Sequence, residues 1–303
     1  MHDKQELFDK EGKSRGYYSS KNRVNDLTGK EWVFWTRSVI TKPYPPNIGH
    51  KKRSQHGGQK PPELCRDIIS VFTKENDIVL DPLMGVGGTL LGASLCNRNA
   101  VGIEINQKWI DLYHEVCHDE QISSSETICS DALSALQSMS SRTIDMIFTD
   151  VPYYRMDRAR RSTGRYKKHD EEAKETPASK LSVFNEIDYE SESQWLDEME
   201  KILTAAAVML KPDGYMAVFI GDMYYNNEYH CLSALLANRL QNRENLVWKA
   251  NLIWYDVSKK LHLYGYQYSY IPSMIHQNIL IFRKEISLKN GAGPVDAKTN
   301  ERN

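Results

Sequence analysis

Asp77-Ile78-Val79-Leu80-Asp81-Pro82-Leu83-Met84-Gly85-Val86-Gly87-Gly88-Thr89 reads as a short apolar strand ending in an acid, followed by a glycine-rich turn. Leu90-Leu91-Gly92-Ala93-Ser94-Leu95 then starts the helix behind it. Glycines at such a turn let the backbone approach a ligand closely, and the same pattern also serves a tight turn in any doubly wound sheet. Working outward, a second strand over 100–103 ends at Glu104, with a helix over 106–116. A third strand over 127–129 ends at Ser130-Asp131, and a fourth over 145–148 leads into Thr149-Asp150-Val151-Pro152-Tyr153-Tyr154. Strands alternating with helices at this spacing predict an α/β fold with a doubly wound, mostly parallel sheet and ligands at the strands' carboxyl ends. Asp81, Glu104, Asp131 and Asp150 all fall there.

Upstream, residues 1–25 are polar and expected to form a mobile arm. Trp32, Val33, Phe34 and Trp35 then supply apolar bulk for a docked segment. Pro43, Pro45 and Pro46 impose an extended path before the first basic patch, His50-Lys51-Lys52-Arg53, which is either a solvated loop or a phosphate contact. Prolines and helical spacing place a helix start near Pro62.

Downstream, residues 155–193 carry no apolar period. They open with a second basic patch containing Arg158, Arg160, Arg161, Arg165, Lys167 and Lys168, and then turn acidic through Glu175. This insertion is a loop or a segment ordered by a partner. An amphipathic helix resumes at Gln194 with Trp195, Met199, Ile202 and Leu203 on one face. A turn at Lys211-Pro212-Asp213-Gly214 precedes a strand over 215–220, and a helix over 230–240 and strands over 246–254 and 278–282 complete a domain spanning 26–285. The polar tail, 286–303, is expected to be disordered. Tyr264-Gly265-Tyr266-Gln267-Tyr268-Ser269-Tyr270-Ile271-Pro272 either lines a base pocket or packs at a sheet edge.

Composition is that of an ordinary globular protein: 40% apolar and 26% charged residues over 303 positions. No stretch approaches a membrane span, and the N-terminus has no signal-like apolar core, so a cytoplasmic protein is expected. The five cysteines are scattered without zinc-site spacing, and no metal is expected. A formal net charge of −1 means that a nucleic-acid partner would have to be met by local basic patches. Glu104, roughly twenty residues beyond the glycine turn, is placed for the two hydroxyls of a ribose, as in dinucleotide sites. A Walker lysine-serine pair is absent, and the glycine spacing is not the dinucleotide one.

Three ordered elements together resemble the S-adenosylmethionine-dependent DNA amino-methyltransferases, the N6-adenine and N4-cytosine group. His56-Gly57-Gly58-Gln59-Lys60-Pro61-Pro62-Glu63-Leu64 is similar to the element preceding the cofactor loop in that group. Asp81-Pro82 through Thr89 is similar to the loop itself, and Asp150-Val151-Pro152-Tyr153 to its Asp-Pro-Pro-Tyr motif. The resemblance implies a Rossmann-like class I methyltransferase with S-adenosyl-L-methionine as cofactor and DNA as partner, its base flipped into the site. It implies that Asp81, Pro82, Gly85, Gly87 and Thr89 bind the cofactor, Asp81, Gly85 and Gly87 at its methionine end. Lys60 and Pro61 would close over it, Glu104 would hold the ribose, and Asp131 would accept from the adenine amino group or else cap the next helix. Asp150 and Val151 would accept the target's amino protons, beside Pro152, while Tyr153 would stack on the base. Valine keeps the carbonyl that the missing proline would contribute and loses only its φ restriction, so the loop is expected to be less rigid. The basic patch beyond Tyr153 would take DNA phosphates.

The acid at Asp150 leans toward adenine N6. Cytosine N4, guanosine N2 of tRNA, and an inactive nucleic-acid-binding relative stay open. With no room for a separate recognition domain after Lys284, sequence recognition is expected from 155–193, from 223–270 or from a second subunit or partner, or to be weak.

Overall fold

The structure, a computed structural model, describes residues 4–9, 11–139, 143–152, 154, 189–225, 228–263 and 266–286. The chain opens with strands β1 (Lys4–Phe8) and β2 (Ser14–Ser19), then helix α1 (Gly29–Trp35) and the short strand β3 (Val39–Ile40). Helices α2 (His50–Arg53) and α3 (Pro62–Phe72) lead into β4 (Ile78–Asp81), α4 (Gly88–Ser94), β5 (Asn99–Glu104), α5 (Gln107–Asp119), β6 (Glu126–Cys129), α6 (Ala132–Ser138) and β7 (Ile144–Asp150). Beyond the insertion come α7 (Glu192–Met209), β8 (Leu210–Ile220), the hairpin β9 (Met223–Tyr225) and β10 (Glu228–His230), α8 (Leu232–Leu240), β11 (Leu246–Tyr255) and β12 (His276–Lys284).

Eight strands form one sheet in the order β3-β11-β12-β8-β7-β4-β5-β6. The run β6-β5-β4-β7-β8 is parallel throughout, and β12 is antiparallel to both β8 and β11. From β4 the chain winds outward through β5 to β6, then returns to β7 and winds the other way. The carboxyl ends of β4 and β7 therefore flank the point where strand order reverses, which is where such sheets leave a crevice. Central strands are apolar on both faces because helices cover both. One core packs α6, α7 and α8 on the sheet through Trp195, Leu203 and Leu236. The other packs α3, α4 and α5 on it through Leu64, Leu90 and Tyr113.

Three sequence expectations need correction. Where the sequence predicts a mobile arm, Lys4–Phe8 and Ser14–Ser19 pair as the β1–β2 hairpin, tied to α1 by the Arg15–Glu31 ion pair at 2.8 Å and by Thr28 Oγ1 donating to the Arg15 carbonyl. Helix α1 docks through Trp35, which packs against the core of α3, α4 and α5; a capping box at Thr28 and Glu31 holds the helix, and Trp32, Val33 and Phe34 are exposed. The Lys211-Pro212-Asp213-Gly214 turn is a distortion inside continuous β8. Asp213 there takes a left-handed φ of 65°, and the β7 register shifts between Ile144 and Met146. The helix expected over 230–240 forms as α8 over Leu232–Leu240, with His230 ending the β9–β10 hairpin before it. The 286–303 tail lies outside the described residues apart from Ile286.

Candidate active site

A cavity of about 660 Å³ opens at the strand-order reversal, and Asp81, Glu104 and Asp150, from the ends of β4, β5 and β7, line it. Lys60, Pro82, Gly85, Thr89, Asp131, Val151 and Pro152 share that lining, so most of the positions named from sequence converge on one space. Pro61 is not part of the lining and stands at the N-cap of α3. Gly87 is also outside the lining, and its φ of 72° forms the N-cap of α4. A Cβ at Gly87 would lie 2.2 Å from the Tyr113 ring, and one at Gly85 (φ 50°) 3.1 Å from His56. These two glycines therefore serve the turn's left-handed conformation and its packing as much as any ligand.

Asp81 is the most deeply buried carboxylate of the site. Its Oδ1 accepts from Thr149 Oγ1 at 2.6 Å and from the Leu83 N–H at 3.1 Å, and Thr89 adds a third hydrogen bond. Burial outweighs these bonds and pushes its pKa up to about 6. Glu104 is held by backbone: the Gly85 and Asn106 N–H groups each donate to one of its oxygens at 3.0 Å. Asp131 caps α6, its Oδ1 accepting from the Ser134 N–H at 2.9 Å, while the residue also sits on the cavity wall.

Asp150 forms an ion pair with Lys60, a residue ninety positions earlier. The next two residues are locked by contacts invisible in the sequence. The Val151 N–H donates to the Phe219 carbonyl at 3.2 Å, prolonging the β7–β8 pairing with a bond that proline cannot make. The Trp195 indole N–H donates to the Pro152 carbonyl at 2.7 Å from a fully buried position on α7. Valine thus exchanges one restraint for another, and the loosening expected from the lost φ restriction is countered.

Arg53 corrects the reading of the first basic patch. It is buried beneath the glycine turn, donating to the Lys60 carbonyl at 2.7 Å and the Val86 carbonyl at 3.3 Å, and burial lowers its pKa to about 10. Its neighbour Lys52 pairs with Glu115 and Asp119, so the described contacts of both are internal. His56 packs edge-on against Trp109 at 4.9 Å, and burial lowers its pKa to about 4. Among the described residues of the tyrosine-rich stretch, Tyr268 and Tyr270 are 89% and 88% exposed, outside both core and cavity lining, and so fit neither sequence expectation. Tyr153 and all six basic residues of the second patch lie outside the described residues.

Three cations (Arg53, Lys60, Lys259) face six carboxylates (Asp81, Glu104, Asp131, Asp150, Glu198, Asp256) around the cavity, a formal balance of −3 among the described residues. Such a site favours a ligand bearing positive charge and offers many acceptors for hydroxyl and amino donors.

A family model described as DNA methylase, of the N6/N4 methyltransferases, matches residues 4–115 and 144–292. The Type II methyltransferase M.HinfI of Haemophilus influenzae is 43% identical over 60 residues, 20% of this chain and 17% of its own length. M2.LlaDCHI of Lactococcus lactis subsp. cremoris is 33% identical over 101 residues, 33% of this chain and 35% of its own. M.BglII of Bacillus subtilis is 31% identical over 112 residues, covering 37% and 27%. These matches span about a third or less of each relative's length. Among solved structures, TrmN from Thermus thermophilus aligns with a TM-score of 0.46 at 14% identity, over 77% of this chain and 52% of that one. With the family model covering both the cofactor-loop half and the catalytic half, the chain belongs to the N6/N4 DNA methylase family of S-adenosylmethionine-dependent amino-methyltransferases.

Proposed function

We propose that this chain transfers a methyl group from S-adenosylmethionine to an exocyclic amino group of a DNA base, with adenine N6 as the target. The observation that carries this reading is the meeting of Asp150, Val151 and Pro152 with the glycine turn and Glu104 around one cavity. When bound, S-adenosylmethionine supplies an electrophilic methyl group on a sulfonium sulfur. The excess of carboxylates around the cavity suits that cation. Glu104, whose carboxylate is oriented by the Gly85 and Asn106 N–H groups at the cavity wall, is placed to accept from ribose hydroxyls. Asp131 retains capacity beyond its cap for an adenine amino group. Asp81, Pro82, Gly85 and Thr89 would form the methionine end of the binding site, with Gly87 shaping the turn beneath and Lys60 and Pro61 on the strap above.

An exocyclic amino nitrogen is a poor nucleophile because its lone pair is delocalised into the base. The Asp150 carboxylate and Val151 carbonyl can accept the two amino protons and draw the nitrogen toward sp³ geometry, freeing the lone pair for in-line attack. Trp195 and Phe219 hold the loop that presents these acceptors, so little reorganisation is left for the reaction itself. The base must leave the duplex to enter a cavity of this size. We assign stacking on it to Tyr153, and phosphate contacts to Arg158, Arg160, Arg161, Arg165, Lys167 and Lys168.

Incubation with methyl-labelled S-adenosylmethionine and either unmethylated DNA or tRNA tests this. Label in DNA, recovered as N6-methyladenosine-type deoxynucleoside, is expected. Label as N4-methylcytosine would change the target, label in tRNA alone would change the substrate, and label in neither by cofactor-binding protein would sink the enzyme reading.

A further inference from the structure

We propose that Lys60 is a positioning residue of the transfer reaction, whose ammonium holds the Asp150 carboxylate ionised and aimed as an acceptor for the target's amino protons. This deepens the reading above, because it rests on Asp150 being that acceptor.

The chain commits Lys60 to this place from both sides. Arg53 binds its carbonyl and ties the strap to the glycine turn at Val86, while Pro61 and Pro62 open α3 immediately after it. The Lys60 side chain is only 9% exposed and that of Asp150 23%, so the pair is sheltered from the screening that weakens surface ion pairs. Its ammonium also stands 5.3 Å from the centre of the Phe219 ring, and the Phe219 carbonyl accepts from Val151. Lys60 therefore bears on the acceptor residue and on the strand that braces it. A carboxylate offers about four lone-pair sites, so a lysine on Oδ2 does not exhaust the acceptor capacity of Asp150.

The charges around Asp150 explain why a cation is needed. Asp81 lies one hydrogen-bonded step away through Thr149, and Glu104, Asp131 and Glu198 add carboxylates on the same cavity. From the end of β11 come Asp256 and Lys259, and from the strap Arg53 and His56; Cys65 of α3 also feels both Lys60 and Asp150. In a sheltered site with this excess of negative charge, one carboxyl of a neighbouring pair tends to keep its proton. A protonated Asp150 would present a donor where the amino group needs an acceptor. Among the described residues, Lys60 is a cation in direct contact with Asp150, and it opposes this.

The test compares wild type, Lys60→Met and Lys60→Arg in three measurements: transfer rate against pH, equilibrium affinity for S-adenosylmethionine, and the carboxyl titration of Asp150 by 13C NMR. The NMR signal is assigned by its loss in Asp150→Asn. For Lys60→Met, kcat at pH 6.5 is expected to fall on the order of tenfold or more, with much of the loss returning by pH 8.5. Cofactor affinity should stay within about threefold, and the Asp150 signal should titrate at higher pH than in wild type. Lys60→Arg should keep the wild-type pH profile. An unmoved profile with cofactor affinity lost in proportion to kcat would confine Lys60 to closing over the cofactor and overturn the proposal. A rise in kcat would make the pair an inhibitory latch and overturn it equally. Should Lys60→Met not fold, Lys60→Gln carries the same comparison. The carboxyl titration needs no turnover, so an unchanged Asp150 titration with transfer intact sinks this inference alone, whereas absent transfer by wild type sinks the proposed reaction and this inference with it.

Discussion

Replacing Asp81 with asparagine should stabilise the folded protein above neutral pH while abolishing cofactor binding. Asp81 is 2% exposed, and even with hydrogen bonds from Thr149, Thr89 and the Leu83 N–H, burial pushes its pKa from 3.8 up to about 6. The folded state then holds this proton more tightly than the unfolded chain does. Between about pH 4 and pH 6 the native state binds the extra proton, so stability falls as pH rises through that window and the full cost persists above it. About two pH units at 1.36 kcal/mol each set that cost near 3 kcal/mol. Asparagine keeps the shape and an oxygen acceptor but has no charge to desolvate. Urea unfolding of both proteins at pH 3.5, 6 and 8 should show near-equal stability at the lowest pH and an advantage of roughly 1–3 kcal/mol for Asp81→Asn at the highest. S-adenosylmethionine should raise the Tm of wild type and leave that of the variant unmoved. Parallel stability curves across this range would refute the assignment of a strained, buried charge to Asp81.

Trp195→Phe removes the donor to the Pro152 carbonyl; it should cost about 1–3 kcal/mol of stability and lower kcat with cofactor affinity intact, as read by denaturation and transfer assays. Val151→Pro deletes the N–H that bonds the Phe219 carbonyl but keeps the carbonyl assigned to catalysis. It should cost about 1 kcal/mol and retain transfer, and loss of transfer in a folded variant would contradict a role confined to the carbonyl. Neutralising Arg160, Arg161 and Arg165 together should weaken DNA binding and make the slope of log affinity against log salt shallower by roughly two to three. An unchanged slope would assign those residues to solvent.

The winding of the sheet was legible because it is written locally: apolar runs, an acid at each strand end, and glycines where φ turns positive. The convergence of Asp81, Glu104 and Asp150 followed, since parallel strands must bring their carboxyl ends to one edge. Contacts between distant segments were not legible. Trp195 reads as one more apolar residue on a helix face, and only the packing of α7 shows its indole on the Pro152 carbonyl. Arg53 stands in a run of basic residues indistinguishable from a phosphate site until the glycine turn closes over it. The aromatic run of α1 misleads in part for a related reason: a seven-residue helix resting on a two-stranded hairpin docks Trp35 on the core and leaves Trp32 and Phe34 exposed. Pro212 and Gly214 carry a turn signal, and the pairing of β8 with β7 and β12 absorbs it as a bulge.

If the acceptors at the end of β7 position a base amino group of DNA for methylation, modification-aware sequencing reads the product. DNA from a host lacking such marks would be compared after expression of wild type and of Asp150→Asn. N6-methyladenine in the wild-type sample and its absence with the variant, which should still bind S-adenosylmethionine, is the predicted result. Unmodified DNA from cells making folded, cofactor-binding wild-type protein, or marks that persist with Asp150→Asn, would contradict it.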